Sequence, residues 1–173
     1  RNPKNFRLLL GPAFFHADNR DFEQAIELLE RIEKHHPYFV PAATRLASLY
    51  LQTLREDDAA DLISRWTETS HREFESSADY WFVAAKLSAI AGDDLAAAAS
   101  WFRVVELRPS NEFLVSAAAT GASLAAKKMK NNSDGSVADQ VEGLADQLAD
   151  HADHLVNLSS LVKLSSFRDH DDA

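Results

Sequence analysis

Few residues of this sequence have the types and the spacing that catalysis or metal binding requires. Asp146, Asp150 and His154 follow one another at steps of four residues, so they would share one face of a helix. Carboxylate and imidazole groups in this arrangement can bind zinc or a similar ion. Exposed helices rich in Asp and His are common, however. We therefore interpret this segment as a solvated helix face and predict no metal and no cofactor.

The other candidates for chemistry are weaker still. His35 and His36 come directly before Pro37, where the carbonyl end of a helix favours an imidazolium, and this explains them without a catalytic role. The sequence has no Cys, which excludes disulfides, thiol catalysis and cysteine zinc sites. The nucleophile-elbow, zinc-protease, P-loop and dinucleotide-binding motifs are also missing from the sequence. We predict that the chain is not an enzyme.

The charge of the chain is acidic and uneven. Its formal net charge is −9, and residues 134–173 contain nine acidic and two basic residues. This segment repels nucleic acid, and no basic stripe precedes it, so we expect no nucleic-acid partner. No run of about 18 apolar residues is present, which predicts no membrane span. The sequence opens at Arg1 without an initiator Met or a signal peptide. We expect a piece of a longer cytoplasmic protein.

Small residues recur along the chain at intervals typical of a helical repeat. Four alanines are spaced by 34, 38 and 34 residues: Ala13, Ala47, Ala85 and Ala119. After each of the first three alanines comes a second small residue, and a large residue follows it four positions later. The pairs are Ala25 and Leu29, Ala59 and Ile63, and Ala97 and Trp101. Small residues let two helices cross closely, and the residue four positions on fills the space on the same face. Pro37 and Pro109 would end the second helices.

The third of these segments resembles the tetratricopeptide repeat (TPR), whose pattern is W-x2-L-G-x2-Y, A-x3-F and P over about 34 residues. The matching positions are Trp81, Ala84, Ala85, Ser88, Ala97, Trp101, Val104 and Pro109. The resemblance covers about residues 5–125. It implies an all-α fold, a right-handed α-α superhelix (TPR-like solenoid) of about three to four helical hairpins with a C-terminal capping helix. We interpret Trp66, Trp81 and Trp101 as structural.

The pattern also predicts the element boundaries. We expect helices at about 4–17, 21–35, 38–53, 57–69, 77–91, 94–107 and 111–129. Asp21 with Gln24 indicates a capping box, while Asp93 and Ser110 mark two further helix starts. His71 replaces the expected proline, which predicts an irregular turn. We divide the chain into repeats at 1–130, a flexible loop at 131–136, an amphipathic helix at 137–166 and a disordered tail at 167–173.

A heptad-like seam follows the repeats. Its members alternate by four and three residues: Val137, Val141, Leu144, Leu148, His151, Leu155, Leu158 and Val162. A helix over this segment would be about 45 Å long, with a break expected near 157–160. We interpret its first half as the displaced second helix of a fourth repeat and the rest as a cap. The alternatives are a homodimer through the 137–162 helix and a self-ligand that fills the groove.

The resemblance further implies a ligand site, since TPR proteins usually bind along the concave surface formed by the first helix of each repeat. The inward positions would be Arg7, Leu10, Phe14, Thr44, Ser48, Asp79, Phe82, Lys86, Phe113, Ser116 and Thr120. The co-chaperone members hold a terminal carboxylate with Lys and Asn, but Leu10 and Phe14 occupy those places here. This argues against such a clamp and favours an apolar or amphipathic peptide. The alternative is that Phe14, Phe82 and Phe113 are core between repeats.

Two functions remain open at this point. We predict a non-enzymatic protein-protein interaction scaffold that binds a peptide or a partner protein in its concave groove. The alternative is a structural module that self-associates through its C-terminal helix.

Overall fold

The chain forms helices joined by short turns wherever its structure is described. The computed structural model describes residues 6–37, 39–68, 72–131 and 135–168, without the side chains of 7, 67, 68, 72, 73 and 156–168. The helices are α1 (Arg7–Asp18), α2 (Phe22–His35), α3 (Val40–Gln52), α4 (Glu56–Glu68), α5 (Arg72–Glu75), α6 (Ala78–Ala91), α7 (Asp94–Leu107), α8 (Glu112–Asn131) and α9 (Gly135–Arg168). The predicted all-α fold is confirmed. In these ranges no helix combines the length and the apolarity that a membrane crossing needs.

Two compact units make up the chain, residues 1–87 and residues 88–173. The division falls inside α6, so the second unit holds the end of α6 with α7, α8 and α9. Of the predicted loop at 131–136, Asn131 belongs to α8 and residues 135–136 belong to α9, while residues 132–134 lie outside the described ranges. The break expected near 157–160 is wrong, because α9 is helical to Arg168. Of the predicted tail, 169–173 lie outside the described ranges.

The small residues of the repeat pattern lie where the pattern placed them. Those of the first unit are fully buried: Ala13, Ala25, Ala47, Ala59 and Ala85. In the second unit Ala97 is fully buried and Ala119 nearly so. One large residue differs, because Leu62 takes the fully buried position expected for Ile63, which is half-buried. Close crossing of paired helices at alanine is therefore the basis of both units.

Each of the first three hairpins turns through one residue with left-handed backbone. The φ angle is 63° at Arg20, 60° at Leu54 and 79° at Gly92. These positions are separated by 34 and 38 residues, the spacing of the small alanines, so they are equivalent. Glycine adopts this conformation freely, whereas another residue there costs roughly 1–2 kcal/mol. The first two turns therefore carry strain that the third does not.

We expect Leu54→Gly to raise the free energy of unfolding by about 1 kcal/mol, because it relieves that strain. The Leu54 side chain is 83% exposed and has little packing to lose. Urea unfolding would measure the change. Gly92→Ala is the matched control and should lower stability by a similar amount, since it introduces the same strain. No gain from Leu54→Gly would show that this turn is not strained.

The side chains at the helix starts agree only in part with the sequence. Asp93 caps α7 as predicted, since its carboxylate accepts a backbone N–H of the first turn at 3.0 Å. The capping box at α2 is wrong: the Asp21 carboxylate lies 2.8 Å from Nδ1 of His16 and makes no cap bond. At α8 the cap is Asn111, which accepts a backbone N–H at 3.0 Å, and not Ser110. An N-cap must directly precede the first helical residue, and α8 begins one residue later than predicted.

The short helix α5 supplies an aromatic residue to the first unit. His71 itself lies outside the described residues. Phe74, on α5, is buried and stacks on Trp66 with ring centroids 4.4 Å apart. Nε1 of Trp81 donates a 2.8 Å hydrogen bond to the carbonyl oxygen of Glu75. Phe74 and Glu75 of α5 therefore contribute to the packing of the first unit.

In the second unit α9 runs antiparallel along α8. Near the end of α8, Nζ of Lys130 lies 2.9 Å from Asp139 and also pairs with Glu142, both at the start of α9. Pro109 lies just before α8 begins, and its carbonyl oxygen accepts a 3.0 Å hydrogen bond from Nε2 of His151. These contacts hold the first half of α9 against α8.

The seam of α9 is shifted by one residue from the predicted one at every second position. The buried members are Ala138, Val141, Ala145 and Ala152. Val137 is only half-buried, Leu144 is 47% exposed and His151 is exposed. The reason is that α8 presents a row of alanines, which lets α9 approach closely only through small residues. The predicted seam was assigned to the large apolar residues, and the alanines next to them were left out.

Candidate functional site

The predicted inward positions of α1 form a partly exposed apolar surface. Leu10 and Phe14 are half-buried and pack against the core of the first unit. The guanidinium of Arg45 lies 5.9 Å from the centre of the Phe14 ring and donates a 2.7 Å hydrogen bond to Asp18. Phe14 is thus partly core and partly surface, and its outer part borders a cation.

The predicted inward positions of α3 are polar, and of the two only Ser48 is partly exposed to solvent. Thr44 is buried and donates its hydroxyl to the carbonyl oxygen of Val40 at 2.9 Å. Ser48, one turn later, is half-buried and accepts from Nε2 of Gln52 at 3.3 Å. Thr44 is therefore left out of the candidate surface. The side chain of Arg7 lies outside the described residues.

On α6 three predicted positions share one face, because they follow at steps of three and four residues. Asp79 is exposed, whereas Phe82 and Lys86 are half-buried. Nζ of Lys86 lies 4.6 Å from the centre of the Phe82 ring, a cation-π distance. Burial lowers the pKa of Lys86, since the charged ammonium has lost part of its water. This face of α6 therefore combines an aromatic ring, a partly desolvated ammonium group and an exposed carboxylate.

We call the exposed and half-buried members of this set the first-unit surface. It consists of Leu10, Phe14, Ser48, Asp79, Phe82 and Lys86. All belong to the first helices of the three hairpins, α1, α3 and α6.

In the second unit the predicted positions lie on α8 and are all exposed. Phe113 is 71% exposed, so it is not core of this unit, and Ser116 and Thr120 continue the same helix face. Ser116 and Thr120 also line a groove between α8 and α9 of about 320 Å³. The α8/α9 groove is lined by Ser116, Ala119, Thr120, Ser123, Leu124, Lys127, Ala145, Asp146, Ala149, Ala152 and Asp153.

Several of these lining residues were missed by the sequence analysis. Ser123, Leu124 and Lys127 follow Thr120 at helical spacing, so extending the inward face along α8 would have found them. Asp146 and Asp153 were not detectable in this way, because their position depends on how α9 docks against α8. The buried residues Ala138, Val141, Ala145 and Ala152 face α8, and α9 forms one wall of this groove.

The metal arrangement considered for α9 does not come together. Asp146, Asp150 and His154 are exposed. Within the described residues, no group of three or more His, Asp or Glu side chains lies close enough to hold a metal ion.

Comparison with known proteins supports the repeat assignment at the level of the fold. The family model described as the tetratricopeptide repeat protein 21 ARM repeat matches residues 1–60. No curated protein matches the sequence. Solved structures of MamA, a TPR-like protein, are similar in fold. For MamA MSR-1 the TM-score is 0.61 at 19% identity, with 86% of this chain and 79% of that chain covered.

Two further MamA structures give the same result. MamA 41-end from Desulfovibrio magneticus RS-1 has a TM-score of 0.61 at 12% identity, over 84% of this chain and 76% of that chain. Another MamA crystal structure has a TM-score of 0.52 at 17% identity, over 88% and 86% respectively. At these identities the likeness concerns the fold.

Proposed function

We propose that this chain, which has a TPR-like helical repeat fold, is a non-enzymatic interaction module that binds an amphipathic peptide of a partner protein. The peptide would lie along the first helices of the hairpins. The observation that supports this most strongly is the ammonium of Lys86 held over the Phe82 ring in a half-buried position. A partly dehydrated cation on an aromatic surface gains more from a ligand's acceptor than a fully hydrated one does.

The chemistry of the first-unit surface defines the ligand. Leu10, Phe14 and Phe82 present apolar area that is already partly withdrawn from water, which suits aliphatic or aromatic anchors. Lys86 suits a carboxylate or a carbonyl oxygen beside those anchors, and Ser48 suits a backbone amide. A peptide with apolar residues on one side and an acidic residue next to them satisfies all three demands.

A role in self-association through the seam is less well supported by the described residues. Val141, Ala145 and Ala152 of α9 are buried, and α9 is fixed against α8 at both ends of that helix. A dimer formed through this half of the seam would have to displace α8, at the cost of its buried apolar contacts.

We expect Phe82→Ala to weaken binding of a selected peptide at least about tenfold and Lys86→Gln about fivefold, since they remove an anchor and a charge-assisted bond. The probe is a peptide chosen from randomised 12-residue peptides displayed on phage and panned on the wild-type chain. Fluorescence anisotropy of the labelled peptide measures each affinity, and thermal unfolding checks that the variants stay folded.

Phe15→Ala is the matched control for this experiment. Phe15 is an exposed phenylalanine of α1 that is not among the inward positions, so its loss should change the affinity less than twofold. Selected peptides that bind all three variants as well as the wild type would show that the ligand site is elsewhere. Failure of any peptide to be enriched over repeated rounds of panning would contradict the proposal itself.

A further inference from the structure

We propose that the α8/α9 groove binds Lys or Arg side chains of a peptide ligand, with Asp146 and Asp153 as their counter-charges. This inference rests on the proposed function, because Ser116 and Thr120 are inward positions of the first helix in their hairpin. It adds a second contact region with a chemistry opposite to that of Lys86.

The acidic residues of α9 differ in whether the fold itself neutralises them. Asp139 and Glu142 both pair with Lys130. Asp146 and Asp153 line the groove, and neither forms an ion pair or a hydrogen bond with any side chain in the described part of the chain. They are seven residues apart, which is two helical turns and about 10 Å. The groove therefore holds two carboxylates at a fixed spacing whose charge remains available to a ligand.

The opposite wall of the groove offers further acceptors at the same end. The Thr120 hydroxyl donates to the carbonyl oxygen of Ser116 at 3.0 Å, which leaves its lone pairs free to accept. Ser116 and Ser123 present two more hydroxyl oxygens along this wall. Ammonium and guanidinium groups carry only donors, so a wall of carboxylates and hydroxyls is complementary to them.

The floor of the groove suits the aliphatic part of a basic side chain. Its apolar lining consists of Ala119, Ala145 and Ala152, which are buried, and of Ala149 and Leu124, which are exposed. Lys and Arg bury their methylene stems on apolar surface while the charged group reaches a polar rim. The volume of about 320 Å³ lies at the lower limit of ligand pockets, so it accepts individual side chains and not a whole helix.

Lys127 gives the groove a direction. It lies eleven residues from Ser116 along α8, about 16 Å away, and lines the groove as well. Because α9 is antiparallel to α8, Asp146 lies nearer to Lys127 than Asp153 does, so the charge of Lys127 disfavours a cation beside Asp146 more than beside Asp153. A ligand with its basic residues at the opposite end would meet Lys127 and bind more weakly.

The test uses two fluorescein-labelled peptides of 15 residues with a Leu, Ala and Gln background. One carries Arg at two positions seven residues apart, and the other carries citrulline, which has the same shape and no charge. Anisotropy is measured in 50 mM and 150 mM NaCl. We expect the Arg peptide to bind about tenfold tighter than the citrulline peptide. Asp146→Asn and Asp153→Asn should each weaken the Arg peptide about fivefold and leave the citrulline peptide unchanged.

Asp150→Asn is the matched control. It removes the same charge from the same helix, but Asp150 does not line the groove, so we expect less than a twofold loss at 150 mM NaCl. An equal loss from Asp150→Asn would mean that the acidic helix acts only through its overall field and would overturn the inference. Equal affinity of the Arg and citrulline peptides would overturn it as well.

The outcomes separate this inference from the proposed function. If the peptides bind, and Phe82→Ala weakens them while Asp146→Asn and Asp153→Asn do not, the first-unit site stands and the basic-residue site is wrong. If Asp146→Asn and Asp153→Asn alone weaken the Arg peptide, the groove is a separate site from the first-unit surface. If neither peptide binds at millimolar concentration, the inference is wrong, whatever the panning experiment gives for the first unit.

Discussion

Replacing Trp101 by alanine should lower the free energy of unfolding by about 3–5 kcal/mol, the usual range for a buried tryptophan. Trp101 is 6% exposed and lies on α7 of the second unit. Its indole packs against α8 at Gly121, where an added Cβ would overlap the ring. The ring therefore fills a space that only a glycine on α8 leaves open. Urea unfolding followed by circular dichroism would measure the loss.

The matched control for this change is Leu95→Ala. Leu95 lies on the same helix but is 54% exposed, so its truncation should change stability by at most about 0.5 kcal/mol. A loss below about 1 kcal/mol for Trp101→Ala would show that the assigned repeat register is wrong, since this residue defines the large position of the third repeat.

The complementary change, Gly121→Ala, tests the same contact from the other side. Alanine is normally better than glycine inside a helix by about 1 kcal/mol. Here the overlap with Trp101 should reverse the sign and destabilise the protein by about 2 kcal/mol. In the Trp101→Ala background the overlap is gone, so Gly121→Ala should become stabilising, which gives a coupling of about 3 kcal/mol. Gly143→Ala on α9 meets no neighbouring atom and should be stabilising in both backgrounds.

The second large effect concerns Glu33, a buried carboxyl group of α2. Glu33 is 8% exposed; its Oε1 lies 3.9 Å from Nη2 of Arg65, and its Oε2 has no hydrogen-bond partner. Burial raises the pKa of Glu33 to about 7, and Arg65 offsets only part of that increase. The protonated form is therefore favoured in the folded protein up to nearly neutral pH.

This raised pKa predicts the direction in which stability changes with pH. Between the ordinary value of 4.5 and about 7, the folded chain binds a proton that the unfolded chain has lost. The contribution of Glu33 is thus fully present below pH 4.5 and is lost as the pH rises through 7, to a total of about 3 kcal/mol. Glu33→Gln, which mimics the protonated acid, should equal the wild type at pH 4.5 and exceed it by about 2–3 kcal/mol at pH 8.

Comparison of the two pH profiles isolates Glu33 from the other titrating groups. Glu23→Gln is the control, because it makes the same substitution at an exposed position of the same helix. Parallel profiles for Glu33→Gln and the wild type between pH 4.5 and 8 would contradict the assignment, because the wild type would then not lose stability through this carboxyl group.

The sequence predicted the helices and their crossings well, because both depend on local spacing. Ala13, Ala47, Ala85 and Ala119 are buried as the repeat required, and the helix from 94 to 107 has the predicted bounds. Helix periodicity and the need for small residues at crossings are properties of neighbouring positions, so they are visible in one chain.

The predictions from the sequence are wrong where contacts between residues far apart in the chain determine the structure. Asp21 has a capping sequence, but its carboxylate binds His16. The α9 seam is shifted because α8 presents alanines, and the turn at Leu54 adopts a conformation that its sequence does not favour. The α8/α9 groove likewise depends on the docking of two helices. Each of these features depends on tertiary contacts, which local secondary-structure propensity does not encode.

The most direct test of the central claim, that the first helices hold a peptide, is a ¹⁵N-¹H correlation spectrum of the chain titrated with the panned peptide. We predict that the largest shift changes fall on α1 and α6, around Phe14, Phe82 and Lys86. Changes confined to the exposed faces of the second helices, α2 and α4, would contradict the account, because the peptide would then lie on the opposite side of the hairpins.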